Sequence, residues 1–263
     1  MVAKVPPAGI TTYKGTPSAG DLGVGLHIKT ADSGASVNSA ADEIIVEGSG
    51  SSGISILSGT SNEGSIKFGD SGDNDIGYIS YNHSTNATVF GTNGASQWAI
   101  DSAGNLLPSA TDHGIYLGVT SATAANHLDD YEEGTWTLAV NDGTNTATHD
   151  GNGNTGTYVK VGNVVHLTGY VLLTSLGSVS GNVYLGTFPF TVLGNNRNYS
   201  AFNITYAAGL STTAGYNMGG YAVINNTVAL IQRWDAAGGT TNMTTSEITA
   251  DAQFIFNITY MTA

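Results

Sequence analysis

The sequence predicts an all-β protein, and three observations support this fold class. Apolar and polar residues alternate in many short runs, as they do in half-buried strands. The runs are separated by glycine, serine, asparagine and aspartate, and the chain holds 36 glycines in 263 residues. No segment of useful length has the periodicity of an amphipathic helix. We expect an elongated, intertwined trimeric β shaft followed by an antiparallel, jelly-roll-like β-sandwich head domain.

Residues 43–119 are expected to form the shaft, because short strands follow one another there at intervals of about 10–12 residues. The predicted strands are 43–47, 53–57, 65–68, 77–81, 88–90 and 97–100. Each offers too few apolar side chains to enclose a core, and its edges would stay unpaired in a single copy. Three copies around a common axis would bury these faces and cover these edges. A monomeric all-β domain is the alternative.

Residues 135–263 are expected to form the sandwich, because the predicted strands there are longer. Segments 157–161 and 164–168 flank Gly162-Asn163, a two-residue turn typical of a β-hairpin. A second hairpin is predicted over 221–234, around Asn225-Asn226. Strict alternation indicates strands with one face in the core. The predicted core residues of two such strands are Val165, Leu167, Val171 and Leu173, and Phe254, Phe256, Ile258 and Tyr260.

Charge divides the chain near residue 134. Residues 1–134 carry 4 lysines and 15 acidic residues, whereas residues 135–263 have a net charge of only −2. The domain prediction places an N-terminal attachment or flexible segment at 1–42 and the shaft at 43–119. A linker with a short helix is predicted at 120–134, and the head domain at 135–263.

Composition excludes several classes of function. The net charge of −13 repels phosphate, so we expect no nucleic-acid partner. The absence of cysteine excludes disulfides, a thiolate nucleophile and a cysteine-ligated metal. No apolar run reaches the roughly 18 residues of a membrane helix, so no membrane insertion is expected. The N-terminus lacks the apolar region of a signal peptide, which predicts synthesis in a cytoplasm.

Two parts of the sequence resemble a known family. The segment Leu128-Asp-Asp-Tyr-Glu-Glu-Gly-Thr-Trp-Thr137 resembles one that opens a C-terminal β domain in tail-fibre and related virion proteins of bacteriophages, and 156–165 is similar to that family's next element. Segments 64–83 and 100–105 look like the shaft sequence of phage fibres. This chain departs from the pattern at Leu138, where proline is frequent, and at 97–99, where an arginine is usual. The resemblance implies a trimeric virion protein that contacts the host surface.

Three functions are compatible with this resemblance. The first is a homotrimeric tail fibre or spike that docks to other virion proteins through residues 1–42 and binds a host-surface receptor, most simply a polysaccharide. The second is a virion part without a receptor, such as a head fibre, a decoration protein or a connecting fibre. The third is a tailspike enzyme that modifies polysaccharide.

We expect no enzymatic activity. The segment Gly69-Asp70-Ser71-Gly72 is similar to the serine block of an esterase, but no helix follows Ser71 to present the hydroxyl group. The acids at 129–133 are consecutive, whereas glycoside hydrolysis needs two carboxyl groups facing each other across a cleft. The six histidines lack the spacing of a metal site, and the Asp70–Asp75 loop does not match an EF-hand, so we expect no metal and no cofactor.

Receptor binding is assigned to the loops of the head domain, because loops on a rigid scaffold carry most recognition residues. Tyrosine and tryptophan rings can cover the apolar face of a sugar, while amide and charged groups can bind its hydroxyls. The candidate receptor-binding residues are Arg197, Tyr199, Tyr216, Asn217, Tyr221, Trp234 and Asp235. The alternative is that these aromatic residues fill the sandwich core or a subunit interface.

Overall fold

The computed structural model describes residues 26–152, 154–194, 199–236 and 238–262, and it confirms the all-β fold class. Among these residues the helices are two single 3-10 turns, Ala124–Asn126 and Thr245–Glu247. The first of these turns lies in the segment for which a short helix was predicted. The described residues fall into two compact units, divided between Leu107 and Pro108.

The N-terminal unit contains two sheets. Strands β1 and β2 form a parallel pair, and β3 to β7 form a five-stranded sheet in sequential order, with β3 at one edge. The bounds are β1 Leu26–Lys29, β2 Ile44–Glu47, β3 Glu63–Phe68, β4 Gly77–Asn82, β5 Ala87–Thr92, β6 Ala95–Ile100 and β7 Leu106–Pro108. These strands include five of the six that alternation predicts in the shaft.

The sixth predicted strand, 53–57, is not a strand in the structure. These residues pair with no other strand among the described residues, although their sequence alternates like that of a strand. A strand requires a hydrogen-bonded neighbour, which one copy of the chain does not supply to this segment. Ile54 and Leu57 are consequently left 73% and 91% exposed.

One side of the five-stranded sheet is apolar. Ile66, Ile79, Phe90 and Trp98 are cross-strand neighbours, so their side chains share one side of strands β3 to β6. Phe68, Tyr81 and Ile100 lie two residues further along their strands and face the same way. We call these seven residues the apolar face.

A short antiparallel pair, β8 Ile115–Tyr116 and β9 His127–Leu128, begins the second unit. The rings of Tyr116 and His127 stack with their centroids 4.4 Å apart. The 3-10 turn at Ala124–Asn126 connects directly to β9. The predicted linker at 120–134 therefore contains β9 but not its partner β8, which lies in the segment predicted as shaft, and the last four residues of the linker belong to the next strand.

The rest of the second unit consists of antiparallel strands in two layers. The first layer has the order β10-β13-β14-β20-β16, with β12 also paired to β14, and the second has the order β16-β17-β18-β15-β11, with β19 paired to β18. The bounds are β10 Tyr131–Thr137, β11 Ala139–Asn141, β12 Thr148–His149, β13 Thr155–Val161, β14 Val164–Ser175, β15 Tyr184–Gly186, β16 Ala201–Leu210, β17 Asn217–Ala222, β18 Val228–Ala236, β19 Gly239–Asn242 and β20 Ile248–Met261.

The two layers are connected at two corners, so the path of strands nearly closes on itself. Residues 201–203 of β16 pair with β17, and residues 204–210 pair with β20. At the other corner Leu138, which is fully buried, is the single residue between β10 and β11. The proline that such sequences often carry at this position is replaced here by an apolar side chain that packs in the core.

The core lies between the layers and includes the predicted residues. All four predicted core residues of β14 and all four of β20 are at most 3% exposed, which confirms the alternation argument for these strands. Phe202 of the second layer contacts Phe256 of the first, with ring centroids 5.8 Å apart. A continuous core of this kind makes the second unit a rigid support for the side chains on its outer surfaces.

Candidate functional site

The predicted binding residues are concentrated on the second layer of the sandwich. Asn217 and Tyr221 lie on β17, Trp234 lies on β18, and Tyr199 precedes β16. Arg197 lies outside the described residues. The backbone of Asp235 continues β18.

Trp234 projects from the outer side of this layer. Its neighbours across the strands are Asn217 on β17 and Thr240 on β19. Side chains alternate along a strand, and Ile231 of β18 is fully buried on the inner side. Trp234 is 62% exposed, so much of its indole surface is open to solvent.

A hydrogen-bonded polar strip lies beside Trp234 on the same side. Gln232 donates from Nε2 to Oδ1 of Asn242 at 3.1 Å, and its Oε1 accepts the hydroxyl proton of Thr240 at 3.2 Å. Gly219 of β17 is the cross-strand neighbour of Gln232, so no side chain covers the Gln232 amide group from that direction. We call Asn217, Gln232, Trp234, Thr240 and Asn242 the Trp234 face.

Tyr199 and Tyr221 form a second aromatic group on this layer. Tyr221 faces the same side as Asn217, four residues further along β17. The ring of Tyr199 meets it edge-on, with centroids 5.4 Å apart and an interplanar angle of 86°. Tyr199 stays 55% exposed, so this pair presents one open ring and one that is half-buried.

Tyr216 lies apart from the Trp234 face. Tyr216 immediately precedes β17, and alternation puts its side chain on the same side as that of Met218. The cross-strand neighbour of Met218 is Arg233. The guanidinium of Arg233 lies 5.8 Å from the centre of the Tyr216 ring. Arg233 also forms an ion pair with the nearly buried Glu247. The structure therefore separates Tyr216 from Asn217, its neighbour in sequence.

Three residues of the Trp234 face were missed in the sequence analysis. Gln232 was placed within a predicted hairpin strand, and Thr240 and Asn242 were not placed in any element. A signal for Gln232 was present, because it is two residues from Trp234 and alternation puts both side chains on one side. Strand β19 has no apolar periodicity, so nothing in its sequence indicates that it pairs with β18.

Acidic side chains of the segment 129–133 form an ion pair and a hydrogen bond with the neighbouring strand β13. Asp130 forms an ion pair with Lys160 of β13, and its backbone carbonyl accepts the N–H of Gly162 at 2.8 Å. Glu132 accepts the hydroxyl proton of Tyr158, and this hydrogen bond raises the pKa of Tyr158. The two segments that resemble the phage fibre family are thus adjacent, paired strands.

The loop at Asp70–Asp75, considered above as a metal or esterase site, forms a turn held by its own hydrogen bonds. The carboxylate of Asp70 accepts the backbone N–H groups of Gly72 at 2.7 Å and of Asp73 at 3.0 Å, and these bonds lower its pKa. Within the described ranges no three histidine or acidic side chains converge as metal ligands. Neither helical turn in this part of the chain has the length or hydrophobicity to span a membrane.

Comparison with known proteins finds similarity to a solved structure. No family model matches the sequence, and no curated protein matches it. The chain is similar to the crystal structure of the Dettilon tailspike protein (gp208), with a TM-score of 0.44 and 20% sequence identity. The match covers 51% of this chain and 24% of that one, so the matched half of this chain spans about a quarter of the length of that protein.

Proposed function

We propose that this chain is a bacteriophage virion protein, a homotrimeric tail fibre or spike whose C-terminal unit binds a glycan of the host surface. The observation that carries the binding proposal is the Trp234 face, an exposed indole beside an ordered row of amide and hydroxyl groups. Support for the virion assignment comes from segments 128–137 and 156–165, which resemble phage fibre sequences and pair with each other as β10 and β13.

The Trp234 face has the two components that bind a sugar. Indole carbons can pack against the C–H groups of a pyranose ring, and an apolar contact of this kind removes water from both surfaces. Amide groups can donate to and accept from sugar hydroxyls. Because Gln232 is already held by Thr240 and Asn242, little side-chain entropy is lost when it binds a ligand.

Charge is compatible with a polysaccharide partner. Residues 135–263, which include the whole Trp234 face, have a net charge of −2, compared with −11 for residues 1–134, so this part of the chain repels acidic polysaccharides far less. A single shallow site binds weakly. Three copies in one particle would raise the effective affinity by avidity.

A virion part without a receptor is the second candidate, and a specific observation favours it. Val159, Val161 and Val164, on the outer side of the first layer, are 39–45% exposed. A neighbouring subunit or virion protein could cover this apolar strip. An enzyme is the weakest candidate, because Asp130 and Glu132 are paired with Lys160 and Tyr158 and do not face each other across a cleft.

The test is binding of the full-length protein to immobilised bacterial capsular and O-antigen polysaccharides. Trp234→Ala should weaken binding by about tenfold or more, as expected for an aromatic contact residue. Tyr206→Ala is the matched control, because Tyr206 is 46% exposed but lies on the first layer. Equal binding by the wild type and Trp234→Ala would refute the site. A folded wild type that binds no host polysaccharide or host cell would favour the second candidate.

A further inference from the structure

A recessed pocket lies on the second layer of the sandwich, at its last strand β11. It has a volume of about 320 Å³, near the lower end of the range of about 300–1,000 Å³ that is usual for small-molecule sites. The turn that follows β11 and the turn between β17 and β18 form its walls. The residues that line it include Asn141, Thr146, Tyr184, Val223, Asn226 and Val228. None of the described residues that line it is charged, so the pocket is suited to a neutral group.

The pocket opens on the same side of the layer as the Trp234 face. Asn141 is the cross-strand neighbour of Tyr184, and Tyr184 is the cross-strand neighbour of Leu230. Leu230 and Trp234 are four residues apart on β18, so alternation puts both side chains on one side. At about 3.3 Å per residue, their positions are about 13 Å apart. A ligand of several sugar units can span this distance.

The side-chain amide of Asn141 is the main polar group of the pocket. Asn141 is 8% exposed, and its Oδ1 accepts the backbone N–H of Gly143 at 3.0 Å. This hydrogen bond fixes which end of the amide carries the oxygen and which carries the two N–H groups. Neither of these N–H groups is donated to another residue in the described part of the chain. A buried donor without an acceptor is unfavourable, so the pocket favours a ligand that brings an acceptor oxygen.

An apolar group lies directly beside this donor. A Cβ atom at position 186 would be 2.7 Å from Nδ2 of Asn141 and 2.7 Å from Cγ1 of Val228. The amide nitrogen and the valine methyl group are therefore close neighbours, next to a glycine that has no side chain to separate them. Val223 adds a second apolar side chain to the lining. The site thus combines an unused N–H donor with an apolar wall.

The turn that forms one wall of the pocket is held by the carboxylate of Asp142. This carboxylate accepts the backbone N–H groups of Thr144 and Asn145 at 2.8 and 2.6 Å. It also accepts the backbone N–H of Ser180 at 2.8 Å, which ties the turn to a second loop. Because the wall is fixed before a ligand arrives, little conformational entropy is lost on binding.

We propose that this pocket binds the acetamido group of an N-acetylated sugar unit, in the same polysaccharide that the Trp234 face binds. The carbonyl oxygen of an acetamido group accepts hydrogen bonds and cannot donate them, which matches the unused donor of Asn141. The methyl group of the acetamido can pack against Val223 and Val228, and this contact removes apolar surface from water. The inference rests on the proposed glycan-binding function and adds the chemical class of the sugar.

The test is saturation-transfer difference NMR on the full-length protein. The probes are the methyl glycosides of N-acetylglucosamine and N-acetylgalactosamine, compared with those of glucose and galactose. The acetylated sugars should receive saturation, most strongly at the acetyl methyl group, and the unacetylated sugars should receive at least about fivefold less. Equal saturation of both kinds of sugar, or no saturation of the acetylated ones, would overturn the proposal.

Asn141→Asp is the informative variant, because it keeps an oxygen for the N–H of Gly143 but removes the Nδ2 donor. The acetyl signal should fall at least about fivefold. Asn257→Asp is the matched control, since it makes the same change at an exposed position of the first layer and should leave the signal unchanged. Val228→Ala, which removes apolar contact without adding charge, should also lower the signal. It decides the question if circular dichroism shows that Asn141→Asp unfolds the protein.

Trp234→Ala separates this inference from the proposed function. The acetyl signal should persist in this variant, because the pocket and Trp234 are different parts of the layer. A signal that is lost in Trp234→Ala and retained in Asn141→Asp would mean that the Trp234 face alone binds the sugar. That result would overturn the inference and leave the proposed function standing, whereas the polysaccharide binding test described above decides the proposed function itself.

Discussion

The indole N–H of Trp136 donates a hydrogen bond to the backbone carbonyl oxygen of Thr168, 3.1 Å away across strand β13. Gly156 lies on β13 between them. A Cβ atom at this position would be 2.1 Å from the Thr168 oxygen and 2.4 Å from Nε1 of Trp136. The bond therefore requires a residue without a side chain at position 156. Trp136 and Gly156 belong to the two segments that resemble phage fibres. This contact explains why a tryptophan and a glycine occupy these two positions.

Gly156→Ala should destabilise the C-terminal unit by about 3 kcal/mol, because the new methyl group meets a backbone oxygen that cannot move aside and a buried indole N–H loses its acceptor. Urea unfolding followed by tryptophan fluorescence would measure the change. Gly151→Ala is the control, since a Cβ atom there has no neighbour within 4 Å. Equal urea midpoints for the two variants would contradict the proposed role of Gly156.

His149 should make stability depend on pH near neutrality. Its Nε2 accepts the backbone N–H of Val140 at 3.0 Å, which requires the neutral ring, and burial lowers the pKa of His149. The unfolded chain then binds a proton more readily than the folded one, so the free energy of unfolding falls as pH drops below about 6.5.

The measurement is the free energy of unfolding of the wild type and of His149→Leu at pH 7.5 and at pH 5. The leucine variant should be less stable at pH 7.5, because Val140 loses its acceptor, but should lose less on acidification. If both proteins lose the same amount of stability between these pH values, another group is responsible for the dependence.

Glu47 should make stability depend on pH in a more acidic range. Its carboxylate accepts the backbone N–H of Ser33 at 2.8 Å and also the Ser33 hydroxyl, and it contacts His27 and Lys29. The Ser33 N–H is the largest of the influences that lower the pKa of Glu47 to about 2. Because the folded-state pKa is lowered, the stabilisation is complete above about pH 4.5 and is lost as pH falls towards 2.

Carboxyl carbon chemical shifts would report the titration of Glu47 directly, with an expected midpoint near pH 2. Protection of the Ser33 amide from hydrogen exchange, relative to an unfolded reference at the same pH, should fall over the same range, and Glu47→Gln should show the lower protection already at neutral pH. A midpoint close to that of a free glutamate would show that Ser33 does not hold the carboxylate in solution.

Local sequence patterns were sufficient to predict two features of the fold: the buried side of β20 and the turn between β13 and β14. Alternation over 254–260 identifies the buried residues of β20, because a strand within one layer sends every second side chain into the core between the layers. Gly162-Asn163 is a two-residue turn as predicted, and Gly162 has the positive φ of 54° that such a turn favours.

Pairing between distant strands could not be predicted in this way. Residues 53–57 have the alternation of a strand, but whether they form one depends on a neighbour that alternation does not reveal. Similarly, Tyr216 and Asn217 were assigned to one loop, and a loop has no period that would place their side chains on opposite sides. The register of β17 against β18 separates them, and that register is set by contacts across the whole layer.

The position of β20 also constrains biosynthesis. This strand lies between β14 and β16 and supplies backbone partners to both, yet it is the last of the described strands along the chain. A nascent polypeptide therefore cannot complete the first layer until Met261 has left the ribosome. Until then the apolar sides of β14 and β16 lack their central neighbour, so a chain that stops before β20 would be prone to aggregation and proteolysis.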